Sequence, residues 1–192
     1  AIVDTIADKV VDLQPEAIAI CLTFAHLNPE HEQLLDVALR ERLPDVPVYL
    51  STRVNPQIEE YPRTQTTAIA AYVGPLVASY VAALEAGLGE KGYRAPLLLL
   101  RSDGGVSSVG GVRGNPAHML LSGPAGGVIA SAGLCAATGV PDVVTFDMGG
   151  TSADFSVIID GRPGVVATRV VGGQPLRVPM MDIETISAGG GS

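Results

Sequence analysis

The residues best suited to chemistry lie in one stretch, Val143-Val144-Thr145-Phe146-Asp147-Met148-Gly149-Gly150-Thr151-Ser152-Ala153-Asp154-Phe155-Ser156-Val157-Ile158-Ile159-Asp160-Gly161. It reads as strand, glycine turn, strand, because 143–146 and 155–159 are short apolar, β-branched runs. Gly149 and Gly150 let a backbone approach an oxyanion closely and aim its N–H groups at it. The hydroxyls of Thr151 and Ser152 can donate to phosphate oxygens. Asp147, expected at the end of a buried strand, can hold a divalent cation directly or through water, and Asp154 is a second carboxylate nearby. Such a loop suits the phosphate tail of a nucleotide carrying magnesium. An ordinary tight hairpin that needs its glycines for positive φ competes with that reading. The loop alone does not separate the two, since short glycine motifs recur by chance.

Other reactive residue types point less clearly. His26, His31 and His118 share no helix face, which favours surface or capping roles over metal ligation. Ser122 lacks the glycine two residues earlier that marks a nucleophile elbow. Asp103, in the loop Ser102-Asp103-Gly104-Gly105, can face a ligand or simply stabilise its turn. Arg63, Arg101 and Arg177 can pair with a carboxylate substrate, although surface charge is the simpler reading.

The elements that must position these groups alternate. Residues 2–13 carry a helical apolar stripe that Pro15 ends. Residues 17–24 form an unbroken apolar run, typical of a strand covered on both faces. Asn28 and Pro29 open a helix through Leu39, and 46–51 is a second short strand. Strand, helix, strand with short links is the signature of a parallel βαβ unit. Residues 52–65 look polar and turn-rich, and a long alanine-rich helix follows from Thr66 to about Leu88, bent at Pro75. Residues 97–101 read as a third strand, with 102–105 at its carboxyl end, where α/β sheets gather ligands. Residues 106–117 are glycine-rich and ambiguous. Leu121-Ser122-Gly123-Pro124-Ala125-Gly126-Gly127 is a glycine turn into a small-residue helix that Gly139-Val140-Pro141 stops. After the central hairpin come a strand expected at 164–171 and an apolar stretch at 176–178.

Composition sets the bounds. The 192 residues suffice for one sizeable core, or one domain and part of another. Hydrophobic residues make up 47%, yet no uninterrupted apolar run approaches the ~20 residues of a membrane span, which argues for dense core and no membrane. A formal charge of −8 argues against nucleic acid, which rewards basic patches. Cys21 and Cys135 sit in apolar surroundings and read as buried thiols of a reducing, cytoplasmic compartment. No basic-then-apolar signal segment opens the chain, and both ends have the look of an excised internal piece.

Three glycine loops on one α/β frame exceed ordinary structural need: Asp147 to Asp154, Ser122 to Gly127, and Ala188-Gly189-Gly190-Gly191-Ser192. Together with Phe24-Ala25-His26-Leu27-Asn28-Pro29-Glu30-His31-Glu32, Glu60-Tyr61-Pro62-Arg63-Thr64, Ala71-Tyr72-Val73-Gly74-Pro75 and the segment 175–182, they run in order along the chain. In these segments the chain resembles the hydantoinase A/5-oxoprolinase family, which includes N-methylhydantoinase and acetone carboxylase subunits. The resemblance implies an α/β fold of ribonuclease-H-like lobes, as in actin-like ATPases, that clasp a nucleotide between paired loops. Residues 1–120 would then finish the first lobe, 121–142 would be the crossing helix segment, and 143–192 would begin the second lobe. The family usually has Thr where this chain has Ala153.

The activity implied is ATP-driven hydrolysis of a cyclic amide by phosphorylation of its oxygen, with ATP and Mg2+ as cofactors. Gly149, Gly150, Thr151 and Ser152 would contact phosphate, and Asp147 would be the magnesium ligand, with Asp154 as a second catalytic carboxylate. Gly123, Gly126 and Gly127 would let a helix amino end approach phosphate. A partner subunit or domain of the hydantoinase B type and an oligomeric assembly are expected. An acetone-type carboxylase subunit and a non-catalytic actin-like nucleotide-binding module remain alternatives. The first phosphate loop of such a clasp is absent from these residues, so the isolated chain is expected to be inactive.

Overall fold

The computed structural model describes residues 2–191. In chain order it contains α1 (Ile2–Asp12), β1 (Ile18–Ile20), α2 (Glu30–Arg42), β2 (Val48–Leu50), α3 (Ser51–Val54) and α4 (Glu60–Glu90). Then follow β3 (Leu98–Leu100), β4 (Val106–Ser108), α5 (Val109–Gly114), a 3-10 turn at Pro116–Met119, and α6 (Ser122–Thr138). The remainder is strand: β5 (Val143–Met148), β6 (Ala153–Ile159), β7 (Arg162–Pro163), β8 (Val165–Val166), β9 (Arg169–Val171), β10 (Gln174–Leu176), β11 (Met180–Met181) and β12 (Glu184–Ile186). This mixture is the α/β class expected from the sequence.

The chain divides into two compact units that interleave along the sequence. The first comprises residues 1–97, 108–117 and 170–178. Its β1 and β2 pair in parallel, Ile18 opposite Val48 and Ile20 opposite Leu50, as the βαβ reading requires. Ala7, Leu35, Ala38, Leu39 and Leu50 form its core, where apolar stripes of α1 and α2 meet the two strands. The Asn28 side chain accepts a hydrogen bond from the Glu30 N–H at 3.0 Å just ahead of α2, but Pro29 occupies the cap position where Asn28 was expected. Helix α4 starts at Glu60, earlier than expected, and runs through Pro75. By length and composition alone it would suit a membrane, yet it packs on β1, β2 and β10 and buries Arg63, Thr66 and Thr67.

The second unit comprises residues 98–107, 118–169 and 179–192. Here β5 and β6 form an antiparallel pair and β12 joins the other edge of β6, giving the order β12-β6-β5. Helix α6 lies on this sheet, burying Ala125, Val128 and Cys135 against Ile158, Met181 and Ile183. The single strand expected at 164–171 is instead two short pieces, β8 and β9, parted at residues 167–168 because they pair with different partners, β8 with β11 and β9 with β10. Gly172 and Gly173, both at positive φ, make the turn after β9. Cys135 is buried as expected, but Cys21 is only half-buried, its sulfur accepting from the Thr64 hydroxyl at 3.0 Å.

Candidate functional site

The central hairpin forms as read, but it is wetter than expected. Asp147 and its neighbours Phe146 and Met148 are exposed, so β5 is not a buried strand. In the β5–β6 register Asp147 lies directly opposite Asp154, which puts two carboxylates side by side on one face of the sheet. One oxygen of Asp154 accepts from the Thr185 hydroxyl at 2.6 Å. Both carboxylates, with Gly127, line a cleft of about 480 Å³ between α6 and the hairpin. Two adjacent carboxylates are hard oxygen donors that fit a divalent cation whose other ligands are water and phosphate. Among the described residues no cluster of three or more acidic, His or Cys side chains forms a complete metal cage.

The turn between these strands is held from behind by the third glycine loop. Gly190 N–H donates to Gly149 O at 3.0 Å, and Gly191 N–H donates to Gly150 O at 2.9 Å. A side chain on Gly189 would overlap the backbone of Gly150 and Thr151, so only glycine permits this backbone-on-backbone approach. Gly149 N–H is itself taken by Ser152 O at 2.9 Å. Among the described residues nothing engages the N–H groups of Gly150 and Thr151, nor the hydroxyls of Thr151 and Ser152. The Gly149, Gly150 and Ser152 carbonyls are therefore occupied, while the remaining donors are free for an anion.

Helix α6 begins at Ser122, so the expected glycine turn is the helix's own first turn. Leu121, which precedes it, has φ 59, and no side chain caps the helix. Its amino-terminal N–H groups thus lack side-chain partners. Gly123 and Gly127 face open space, whereas Gly126 sits against Leu100, where a Cβ would meet Cδ2 at 3.1 Å.

Asp103 stabilises its own turn. It accepts from Gly105 N–H at 3.0 Å and is paired with Arg101, whose guanidinium holds the carboxyl below its ordinary range. Ser102 beside it is buried and ties the loop to Pro179 and His118. Burial pushes the pKa of His118 down from the usual imidazole value, and the Nδ1 atom has no partner among the described residues. Arg177 pairs with Glu59 at 2.7 Å. Arg63 is not surface charge at all: its side chain is fully buried, and its Nη1 lies 2.8 Å from His26 Nδ1. The periodicity of α4 could have exposed this, since Arg63, Thr67, Ala70, Ala71 and Gly74 share one buried helix face.

Residues 63–192 match the family model described as hydantoinase/oxoprolinase. The chain is 38% identical to the caprolactamase subunit alpha of Pseudomonas jessenii, over 93% of this chain and 26% of that protein. The crystal structure of the ATP-dependent caprolactamase from the same organism superposes with a TM-score of 0.85 at 34% identity, covering 99% of this chain and 28% of that one. A 5-oxoprolinase of Saccharomyces cerevisiae is 35% identical over 92% of this chain and 14% of its own length. The nucleotide-free structure of an acetone carboxylase, from work on ATP-dependent acetone carboxylation, matches with a TM-score of 0.82 at 25% identity, over 97% of this chain and 27% of that one. The chain thus spans less than a third of each of these relatives.

Proposed function

The chain belongs to the hydantoinase/oxoprolinase family, and from that premise we propose that it is the phosphate-binding portion of an ATP-dependent hydrolase of cyclic amides. The observation that carries this reading is the unengaged Gly150 and Thr151 N–H groups and Thr151 and Ser152 hydroxyls of the 149–152 turn, adjacent to the opposed carboxylates of Asp147 and Asp154. A ring amide is resonance-stabilised and resists water. Transfer of the γ-phosphoryl group to its oxygen, with release of ADP, makes the ring carbon electrophilic. Water adds to that carbon, the C–N bond breaks as the ring nitrogen leaves with a proton, and a second water releases phosphate from the resulting acyl phosphate to give the carboxylate. Such transfer needs positioning and charge neutralisation more than covalent chemistry from the protein. Gly150 and Thr151 N–H groups and the Thr151 and Ser152 hydroxyls hold phosphate oxygens. The first turn of α6, with Gly123 and Gly127 open beside it, offers further N–H donors. Magnesium held by Asp147 and Asp154 would neutralise phosphate charge as it develops.

The names of the caprolactamase and the 5-oxoprolinase support the substrate class, and the designation of the caprolactamase chain as an alpha subunit supports a partner subunit. A cytoplasmic location belongs to the same reading, supported by two free thiols. Likeness to the acetone carboxylase favours a second reading, a carboxylase subunit using the same loop. The deciding experiment is ADP release by the full-length chain with its partner, given 5-oxoproline, caprolactam, hydantoin, N-methylhydantoin, or acetone with bicarbonate. Stimulation by a cyclic amide that falls about 100-fold or more in Asp147→Asn is expected. Stimulation only by acetone with bicarbonate would establish the carboxylase instead. ATP binding with no stimulated turnover would reduce the chain to a nucleotide-binding module.

A further inference from the structure

The first unit carries a second polar site, at the carboxyl ends of the parallel strands β1 and β2. The loop after β1, the start of α2 and α3 line an open pocket of about 190 Å³ bordered by His26, Gln33, Thr52 and Arg53, with Ala25 and Pro29 among its walls. Behind it lie two fully buried ionic side chains, Glu32 and Arg63. They do not pair with each other. Glu32 is saturated by neutral donors: Leu22 N–H at 3.0 Å, Ser51 Oγ at 2.6 Å, Thr52 N–H at 3.1 Å and Thr52 Oγ1 at 2.9 Å. Arg63 donates to Leu22 O at 2.8 Å, Gln57 O at 2.9 Å and His26 Nδ1 at 2.8 Å. Its Nε has no partner, and the nearest acid is the half-exposed Glu60, 3.9 Å away.

A buried guanidinium ordinarily has a buried counter-ion, because desolvating a lone charge is costly. Here the compensation is incomplete. Arginine only donates, so His26 Nδ1 must accept and the imidazole proton must sit on Nε2. The imidazole therefore carries its N–H on the nitrogen away from Arg63, and His26 lines the pocket together with Arg53, whose Nη1 also donates to the buried Asp36 carboxylate at 3.3 Å and whose other guanidinium nitrogens are left for a ligand. The loop bearing His26 is strained, with Phe24 at φ 59, a conformation that a bulky residue adopts only when its surroundings impose it.

We propose that this cavity binds a small oxyanion, carboxylate or phosphate, held by His26 Nε2–H and the Arg53 guanidinium and electrostatically completed by Arg63. The site is separate from the 149–152 turn, and the proposal does not rest on the hydrolase reading. Crystals of the full-length chain soaked in selenate or in 4-bromobenzoate, which does not alkylate histidine or cysteine, locate the anion by its anomalous signal. The expected result is a peak beside His26 and Arg53 that is absent in Arg53→Gln. Selenate alone at the site indicates a phosphate-like ligand, and bromobenzoate alone a carboxylate. Calorimetry with inorganic phosphate and with acetate then checks solution binding. Arg53→Gln and His26→Gln should each weaken it about tenfold or more, while binding of an ATP analogue at the 149–152 turn stays unchanged. Arg53 is exposed, so its variant folds even if His26→Gln does not. Anomalous peaks confined to other places, or equal calorimetric affinity in wild type and Arg53→Gln, would overturn the proposal.

Discussion

Asp147 and Asp154 face each other across the β5–β6 pair, and like charges directly opposite in a sheet are destabilising by roughly 0.2–1 kcal/mol. Asp154→Asn removes the repulsion while keeping an oxygen for the Thr185 hydroxyl. We expect the variant to gain about 0.5 kcal/mol in urea unfolding without divalent cations. Wild type should gain stability as magnesium is added and the variant should not, because a ligand that binds only the folded state stabilises it by mass action. Equal magnesium response in both would remove the carboxylate pair from the metal-binding argument. A second residue-scale effect concerns His118, whose folded pKa lies below the ordinary imidazole value of about 6.5 because burial disfavours its charged form. With a depressed folded value, the unfolded chain binds the extra proton first as pH falls. The stability contribution is therefore complete above about 6.5 and is lost as pH drops from there through the folded value. His118→Asn should flatten thermal stability across that acidic window. An unchanged slope would exclude His118 as its source.

At the scale of elements, α4 contains a matched pair of glycines. Gly87 has open space where a Cβ would go, whereas a Cβ on Gly74 would overlap the ring and hydroxyl of Tyr49 on β2. Alanine at 87 should stabilise by up to about 1 kcal/mol through helix propensity. Alanine at 74 gains the same propensity but forces Tyr49 aside, and should cost a net ~1–3 kcal/mol as overpacking does. Thermal unfolding of the two variants reads the difference, and Gly74→Ala more stable than wild type would refute the packing of α4 on β2. The same helix shows the limit of reading sequence alone. Its apolar repeat was legible from Thr66 onward, but the first turns, from Glu60 to Gln65, are polar and look like loop; tertiary burial of Arg63 on Leu22 O makes them helical. The β5–β6 hairpin and its glycine turn were legible because they depend on local chemistry. The backing of that turn by Gly189 to Gly191 was not, since it joins residues about 40 positions apart and leaves no trace in either segment's own periodicity. Strands 164–186 failed for a related reason. They are short, pair over a distance, and show no alternation long enough to read.

For the molecule as a whole, the second unit leaves much of its sheet uncovered. Among the described residues β5 pairs only with β6, so its other edge presents open backbone groups. On one face of the hairpin, Val144 opposes Val157 and both are more than half exposed, as are Phe146 and Ile159 nearby. A strand edge with an apolar face is a template for association. The 192 residues prepared alone should therefore self-associate as concentration rises, while a net charge of −8 slows but does not prevent it. A lysine at 144 places charge on that face without touching Asp147, Asp154 or the 149–152 turn. Val144→Lys should shift the sedimentation profile toward monomer at the same concentration, and added salt should partly reverse the shift by screening the new charge. A full-length chain in which further sequence covers the hairpin predicts the opposite sensitivity. There the same lysine would be buried against a partner segment and should lower thermal stability by about 1–3 kcal/mol. Monomerisation of the short chain together with destabilisation of the long one would identify this face as an internal interface of the parent protein. A long chain indifferent to the substitution would mean that the face is left to solvent there as well.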